Sequence, residues 1–402
     1  MNDYFALESS NSAQDDLTFF VCCATQPMPN ASDHCGPLSP GKPGERPAIG
    51  RFEDMMTWPE DVQLNSYRQM ERVYPTRRVR CGPVVRPLPQ GPALPLQYRY
   101  EGQTLGLEAF MQRTRCTSLL LLQNGQVRLE CYAAGRNAQS RWPSFSVAKS
   151  ISSVLLGVAL HEGLIQSLAQ PVTDYVPKLL GSAYEQVSIR QVLQMSSGVG
   201  WNEDYLDPQS ERRRLLAAQA AGQRGQVLAF MAALPRVAEP GTRFNYSTGE
   251  TYLVGEILAA AVGRPLSDYL SDKLWGPLGM ECDALWQLDA PDGLEFAGSG
   301  LNATLRDLGR FGQFMLDQGV VDGQSLLPPD WVIDSTDVVS HAHLQPGQIP
   351  RYAPRGYGYQ WWTFGDPPPA PGQRAAGLYA ALGIFGQQIH IHPASRKVLR
   401  SE

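Results

Sequence analysis

The sequence predicts an α/β protein in which a sheet domain (51–162 and 286–402) is interrupted by an all-helical block (163–285). Three observations predict it. Two apolar runs, Ser118–Gln123 and Gln126–Tyr132, are joined by Asn124-Gly125, a dipeptide that tolerates φ > 0 at both positions and favours a two-residue antiparallel hairpin. Strand-like segments recur near the other end, around residues 357–364, 376–383 and 387–392. Between these ends, residues 185–285 carry mostly helical patterns.

From the N-terminus onward, each element has a local reason. Residues 25–50 are crowded with Pro, Gly, Ser and Asn, so 1–50 reads as a linker or disordered segment. A second Pro-rich stretch, 82–96, runs extended. After the hairpin, a helix is expected over 146–162. Its apolar residues Ile151, Val154, Leu155 and Val158 recur at helical spacing, and Gly163 stands at the C-cap. Ser150, Ser153 and Gly157 on it are small enough for neighbours to approach closely. The helical block divides into 188–195, 212–220, 226–233, 251–262 and 266–274, and a further helix over 305–318 precedes the last strands.

Composition narrows the function. Of the 402 residues, 43% are hydrophobic and 18% charged, which is globular composition. A formal charge of -5 argues against a nucleic-acid partner bound through a basic face, and the absence of any run of about 18 apolar residues argues against a membrane span. Seven irregularly spaced cysteines form no CxxC, and the six histidines form no HExxH, so no metal site is expected. His390 and His392 alternate on a strand, and one of them reads as a surface residue rather than a ligand. The apolar stretch 17–24 follows Asp15 and Asp16 where a leader would carry Lys or Arg, so a reduced, cytoplasmic chain is the simplest reading. A homodimer is compatible with the sequence.

Serine chemistry is the one catalytic scheme with support. No serine has both glycines of G-x-S-x-G, so that elbow is excluded. S-x-x-K occurs twice among 28 serines and five lysines, against about a third of a match by chance. Ser39 to Lys42 contains Pro40 and Gly41 and cannot open a helix. Ser146-Val147-Ala148-Lys149 can: both side chains fall on one face of the first turn, beside the N–H groups of the helix start. A lysine that takes the serine proton must be neutral, which burial or a nearby cation would achieve. The competing reading is an N-cap serine with a solvated lysine one turn on.

Ordered blocks from about Gly50 to the C-terminus then carry a resemblance. They are Phe145-Ser146-Val147-Ala148-Lys149-Ser150, Ser188-Ile189-Arg190-Gln191-Val192-Leu193 with Ser196-Ser197-Gly198, and Phe244-Asn245-Tyr246-Ser247-Thr248. Trp275-Gly276-Pro277-Leu278-Gly279-Met280, Gly300-Leu301-Asn302-Ala303-Thr304 with Arg306-Asp307-Leu308, and Gly356-Tyr357-Gly358-Tyr359-Gln360-Trp361-Trp362 follow. The chain resembles the class C β-lactamase-like serine hydrolases, with the penicillin-recognising fold: an antiparallel sheet flanked by helices, with an inserted all-α domain. Trp201-Asn202-Glu203-Asp204-Tyr205-Leu206-Asp207-Pro208 and Gly383-Ile384-Phe385-Gly386-Gln387 look most like the 6-aminohexanoate-dimer (nylon-oligomer) hydrolases and their esterase relatives.

The resemblance implies Ser146 as the acylated nucleophile, Lys149 as its proton acceptor and Tyr246 as the proton shuttle. It implies an oxyanion hole from the backbone N–H groups of Ser146 and Ile384, and no cofactor. Tyr205 matches a tyrosine that closes over the leaving group, or is an aromatic in an acidic surface loop with Glu203, Asp204 and Asp207. Gly298 falls where relatives carry a substrate-contacting Asn, Leu216 where they carry an acid, Phe385 where they usually carry His, and Thr248 where many carry Asn. Trp361 and Trp362 either wall a pocket or fill core. No Lys-Thr-Gly occurs, which demotes β-lactam hydrolysis. Relatives continue past the His390/His392 strand with another strand and a helix, which this chain is expected to lack. The expected function is hydrolysis of a small linear amide or ester. The alternatives are a catalytically impaired binding protein or, behind it, a β-lactamase or D-Ala-D-Ala carboxypeptidase.

Overall fold

The computed structural model describes residues 48–100, 102–337, 341, 344–346, 356–364 and 377–402; the 17–24 stretch and all but the end of the 1–50 linker lie outside them. In chain order the elements that build the site are β1 (Thr76–Val79), β2 (Ser118–Gln123), β3 (Gln126–Tyr132), β4 (Arg141–Pro143) and α1 (Val147–His161). Then come α2 (Ile189–Leu193), α3 (Glu211–Ala220), α4 (Thr248–Val262), β5 (Ala284–Gln287), β6 (Leu301–Thr304) and α5 (Leu305–Leu316). The last strands are β7 (Gly356–Tyr357), β8 (Trp362–Thr363), β9 (Tyr379–Leu382), β10 (Gln388–His392) and β11 (Lys397–Ser401). No helix among the described residues is long and apolar enough to cross a membrane.

The hairpin forms as expected. Asn124 and Gly125 take φ of 52° and 74°, and β2 pairs β3 with Leu121 opposite Leu129. These strands close one edge of a seven-stranded antiparallel sheet in the order β7-β8-β9-β10-β11-β2-β3. On one face Leu120, Leu122, Ile389, Ile391 and Val398 bury against α5. That helix lies close because Gly309 and Gly312 face the sheet: a Cβ at either would meet Leu120 or Val398 at 2.5 Å. On the other face Leu119, Leu121, Leu378 and Leu399 pack around Phe110 of the helix Leu107–Thr114.

Of the strand and helix expected to be absent after His392, a strand is present and no helix follows it among the described residues. β11 pairs both β10 and β2, with Leu399 opposite His390 and Leu121. It is five residues long, behind a tight turn in which Arg396 has φ 50°, which leaves little pattern to read.

A second, four-stranded sheet in the order β1-β5-β6-β4 was not legible in the sequence. It matters because β4 and β6 run side by side, Pro143 opposite Asn302, with the Ser144 N–H donating to the Leu301 carbonyl at 2.8 Å. Two distant loops therefore leave the same sheet edge together: Ser144–Ser146 after β4 and 297–300 before β6.

Between the sheets and the helical block runs α1. Residues 147–159 of it are all buried, so it is a core helix apolar on most sides. Its small residues work as expected: a Cβ on Gly157 would meet the Trp331 ring at 2.6 Å, and Ser150 Oγ donates to the Gln360 carbonyl at 2.6 Å.

Candidate active site

At the start of α1 the local chemistry departs from ordinary capping. Ser146 is the N-cap residue, yet its side chain accepts no backbone N–H. Its Oγ instead lies 3.0 Å from Lys149 Nζ. Phe145 before it holds φ 45°, a left-handed conformation that non-glycine residues take at a cost. Lys149 is 1% exposed, so the solvated-lysine reading falls. Its Nζ also lies 3.0 Å from Thr248 Oγ1 and 2.7 Å from the Gly298 carbonyl. Burial pushes the ammonium pKa down to about 7; the Glu203 carboxylate works against that shift and the Arg212 guanidinium with it.

Tyr246 reaches the same place from the loop before α4. Lys149 Nζ sits 5.2 Å from the Tyr246 ring centroid. The phenol is 8% exposed, stacked on Trp362 at 5.2 Å and edge-on to Tyr357 at 5.8 Å. The hydroxyl, the amine and the phenol ring thus meet across residues 146, 149 and 246. Beside them, the turn 383–386 after β9 lies against the Ser144 carbonyl, and the Phe385 and Phe145 rings are 5.0 Å apart. The backbone N–H groups of Ser146 and Ile384 have no intramolecular acceptor among the described residues.

The family is decided by a comparison over most of the chain: residues 104–399 match the beta-lactamase family model. The chain belongs to the beta-lactamase family. It is therefore a serine hydrolase. It is similar to the 6-aminohexanoate-dimer hydrolase of Paenarthrobacter ureafaciens, 32% identical over 299 residues covering 73% of this chain and 74% of that one. A solved Bacillus anthracis structure, provisionally assigned as a 6-aminohexanoate-dimer hydrolase, superposes with TM-score 0.72 at 21% identity over 90% of this chain and 92% of its own. EstCE1, a hydrolase with promiscuous acyltransferase activity, gives 0.55 at 14% identity over 73% and 90%. A penicillin-binding-protein homolog from Caulobacter crescentus gives 0.52 at 17% over 71% and 85%. The last three establish the fold.

Within this beta-lactamase-family site, several expected contacts are rearranged. Trp361 is fully buried, parallel to Phe311 at 6.2 Å and edge-on to Tyr379 at 5.2 Å, so it fills core. Trp362 is the one that touches Tyr246. Gly298 offers its carbonyl to Lys149 rather than a side-chain position to substrate: a Cβ there would meet the Thr248 carbonyl at 2.8 Å. Phe385 belongs to an aromatic cluster with Phe145 and Tyr67. The Tyr205 hydroxyl donates to Glu203 Oε1 at 2.8 Å, and its pKa rises by burial and the adjacent carboxylate.

Glu203, expected in an acidic surface loop, is buried. Oε2 accepts the Trp201 indole N–H at 2.5 Å and the Thr248 backbone N–H at 2.9 Å; Oε1 accepts the Thr248 hydroxyl at 2.5 Å. The available signal was the tryptophan two residues before it, a donor that can only give. His390 is likewise buried, with Nε2 2.6 Å from Gln388 Oε1, and burial pushes its pKa down to about 4. Among the described residues no cluster of His, Cys, Asp and Glu could hold a metal ion.

Proposed function

We propose that this chain hydrolyses small linear amides or carboxylic esters through an acyl-enzyme on Ser146. The observation that carries the reading is the surroundings of Lys149 Nζ. A neutral amine has two N–H bonds and one lone pair. The Gly298 carbonyl can only accept, so it takes one N–H; Thr248 Oγ1 takes the second; the lone pair is left facing the Ser146 hydroxyl.

Lys149 then removes the hydroxyl proton as Oγ attacks the carbonyl carbon. The backbone N–H groups of Ser146 and Ile384 receive the developing oxyanion. The proton passes, with the Tyr246 phenol adjoining, to the leaving amine or alkoxide, which departs and leaves the ester on Oγ. Water enters, gives its proton to the same pair and bonds to the acyl carbon; the C–Oγ bond then breaks, Oγ takes the proton back and the acid leaves. Aromatic rings gather around the residues flanking this pair, Phe385 on Phe145 and Trp362 on Tyr246, and favour an apolar acyl chain. The 6-aminohexanoate-dimer hydrolase relative supports a linear amide, and the losses at Gly298, Leu216 and Phe385 favour a different chain end from that relative's substrate.

A fluorophosphonate probe should add its mass at Ser146 in the wild type and nowhere in Ser146→Ala. p-Nitrophenyl esters of increasing acyl length should turn over, with 6-aminohexanoate oligomers slower. Turnover of oligomers alone overturns the ester preference, penicillin labelling at low concentration favours the β-lactamase reading, and a folded protein that never labels is a binding protein.

The pH profile has a definite sign. Protonated Lys149 has no lone pair, so kcat/KM should fall as pH drops through about 7 and stay level above it until other groups titrate. A rate that rises on acidification contradicts the assignment.

A further inference from the structure

The proposed base works only if Thr248 is compelled to accept from Lys149. A threonine hydroxyl can give its proton either way, and here it has two neighbours: Lys149 Nζ at 3.0 Å and Glu203 Oε1 at 2.5 Å. A carboxylate accepts only. We infer that Glu203 is a positioning residue for the hydrolysis: by drawing the Thr248 proton onto itself, it turns the Thr248 lone pair to Lys149 and so holds the Lys149 lone pair on Ser146. This rests on the reading of Lys149 as the base.

Geometry separates this role from a plain ion pair. Arg212 Nε is 3.8 Å from Glu203 Oε1, and among the described residues its Nε and Nη1 make no hydrogen bond. The close contacts of the carboxylate go to Trp201, Tyr205 and both the backbone and side chain of Thr248, the residue that opens α4. Oε2 accepts from Trp201 and the Thr248 backbone, and Oε1 accepts from the two hydroxyls. In Glu203→Gln the new amide can donate to Thr248 Oγ1. The threonine proton is then free to swing onto the Lys149 lone pair and quench it. An asparagine at 248 would need no such help, since its side-chain carbonyl accepts without a rotor.

The test is the acylation rate of Ser146, from the burst of a p-nitrophenyl ester, across pH. Glu203→Gln should lower the plateau rate by roughly 10- to 100-fold, the cost of misdirecting a catalytic group. The acidic limb should move to lower pH, because the charge that favoured the ammonium is gone. Glu203→Gln with Thr248→Asn should regain most of the rate while the limb stays low. A structural role would not separate plateau from limb in this way. Should Glu203→Gln fail to fold, Thr248→Val keeps the shape, cuts the same link and should lose rate to a similar extent.

An unchanged rate and limb in folded Glu203→Gln overturns the inference, as does a double variant as slow as the single. In that case the wild type still acylates. A wild type that never acylates removes the underlying hydrolase reading instead.

Discussion

Replacing Lys149 with methionine is expected to slow acylation of Ser146 by about 10³- to 10⁴-fold, near the top of what a positioned base contributes. Methionine keeps the volume of a side chain that is 1% exposed and removes the amine that lies 3.0 Å from Oγ. The same variant carries a stability signature with a sign that can be worked out. Lys149 titrates at about 7 in the folded chain against 10.5 in the unfolded one. Between those values the unfolded chain binds the extra proton, so the wild type gains stability as pH rises from 7 to 10.5. Below 7 the penalty of burying the amine is complete, and above 10.5 it is gone. Urea unfolding at pH 7 and pH 10 should therefore show the variant losing ground relative to the wild type at the higher pH. A difference that is constant with pH contradicts the assignment of a buried, depressed lysine.

Trp361→Ala is expected to cost about 3–5 kcal/mol of stability, the range for removing a large aromatic from a core. The indole is fully buried between Phe311 and Tyr379, and nothing of it reaches the site. Protein that remains folded should label at Ser146 at a rate close to wild type. Trp362→Ala, one residue on, should do the reverse in kind: it removes the face on which Tyr246 stacks and should slow labelling. Urea midpoints and probe kinetics on the two variants separate the roles. Slow labelling of folded Trp361→Ala would mean that this tryptophan reaches the site after all.

The two tryptophans show where sequence stops informing. Their identity marks an aromatic stretch, but which one turns to the site depends on the pairing of β8 with β9, Trp362 opposite Ala380. Local chemistry was readable wherever neighbours in sequence decide it: the Asn124-Gly125 turn, the amphipathic α5, and Ser146 with Lys149 one helical turn apart. The four-stranded sheet was not, because β1, β4, β5 and β6 are three or four residues long, and β4 pairs β6 and β1 pairs β5 across long stretches of intervening chain, Pro143 with Asn302 and Thr76 with Gln287. Glu203 was missed for the same reason. Beside Asp204 and Asp207 it looks like one more surface acid, and only the docking of α4 buries it on Thr248. Gly298 acts through a backbone carbonyl, which no residue type announces.

Catalysis by this site requires a neutral amine whose free electron pair faces one hydroxyl. The direct measurement is the second-order rate of Ser146 labelling by a neutral fluorophosphonate between pH 5 and 9, in the wild type and in Lys149→Met. A sigmoid rising to a plateau with its midpoint near the Lys149 value of about 7, absent from the variant, is the predicted result. Labelling that ignores pH, or that survives unchanged in Lys149→Met, would contradict it.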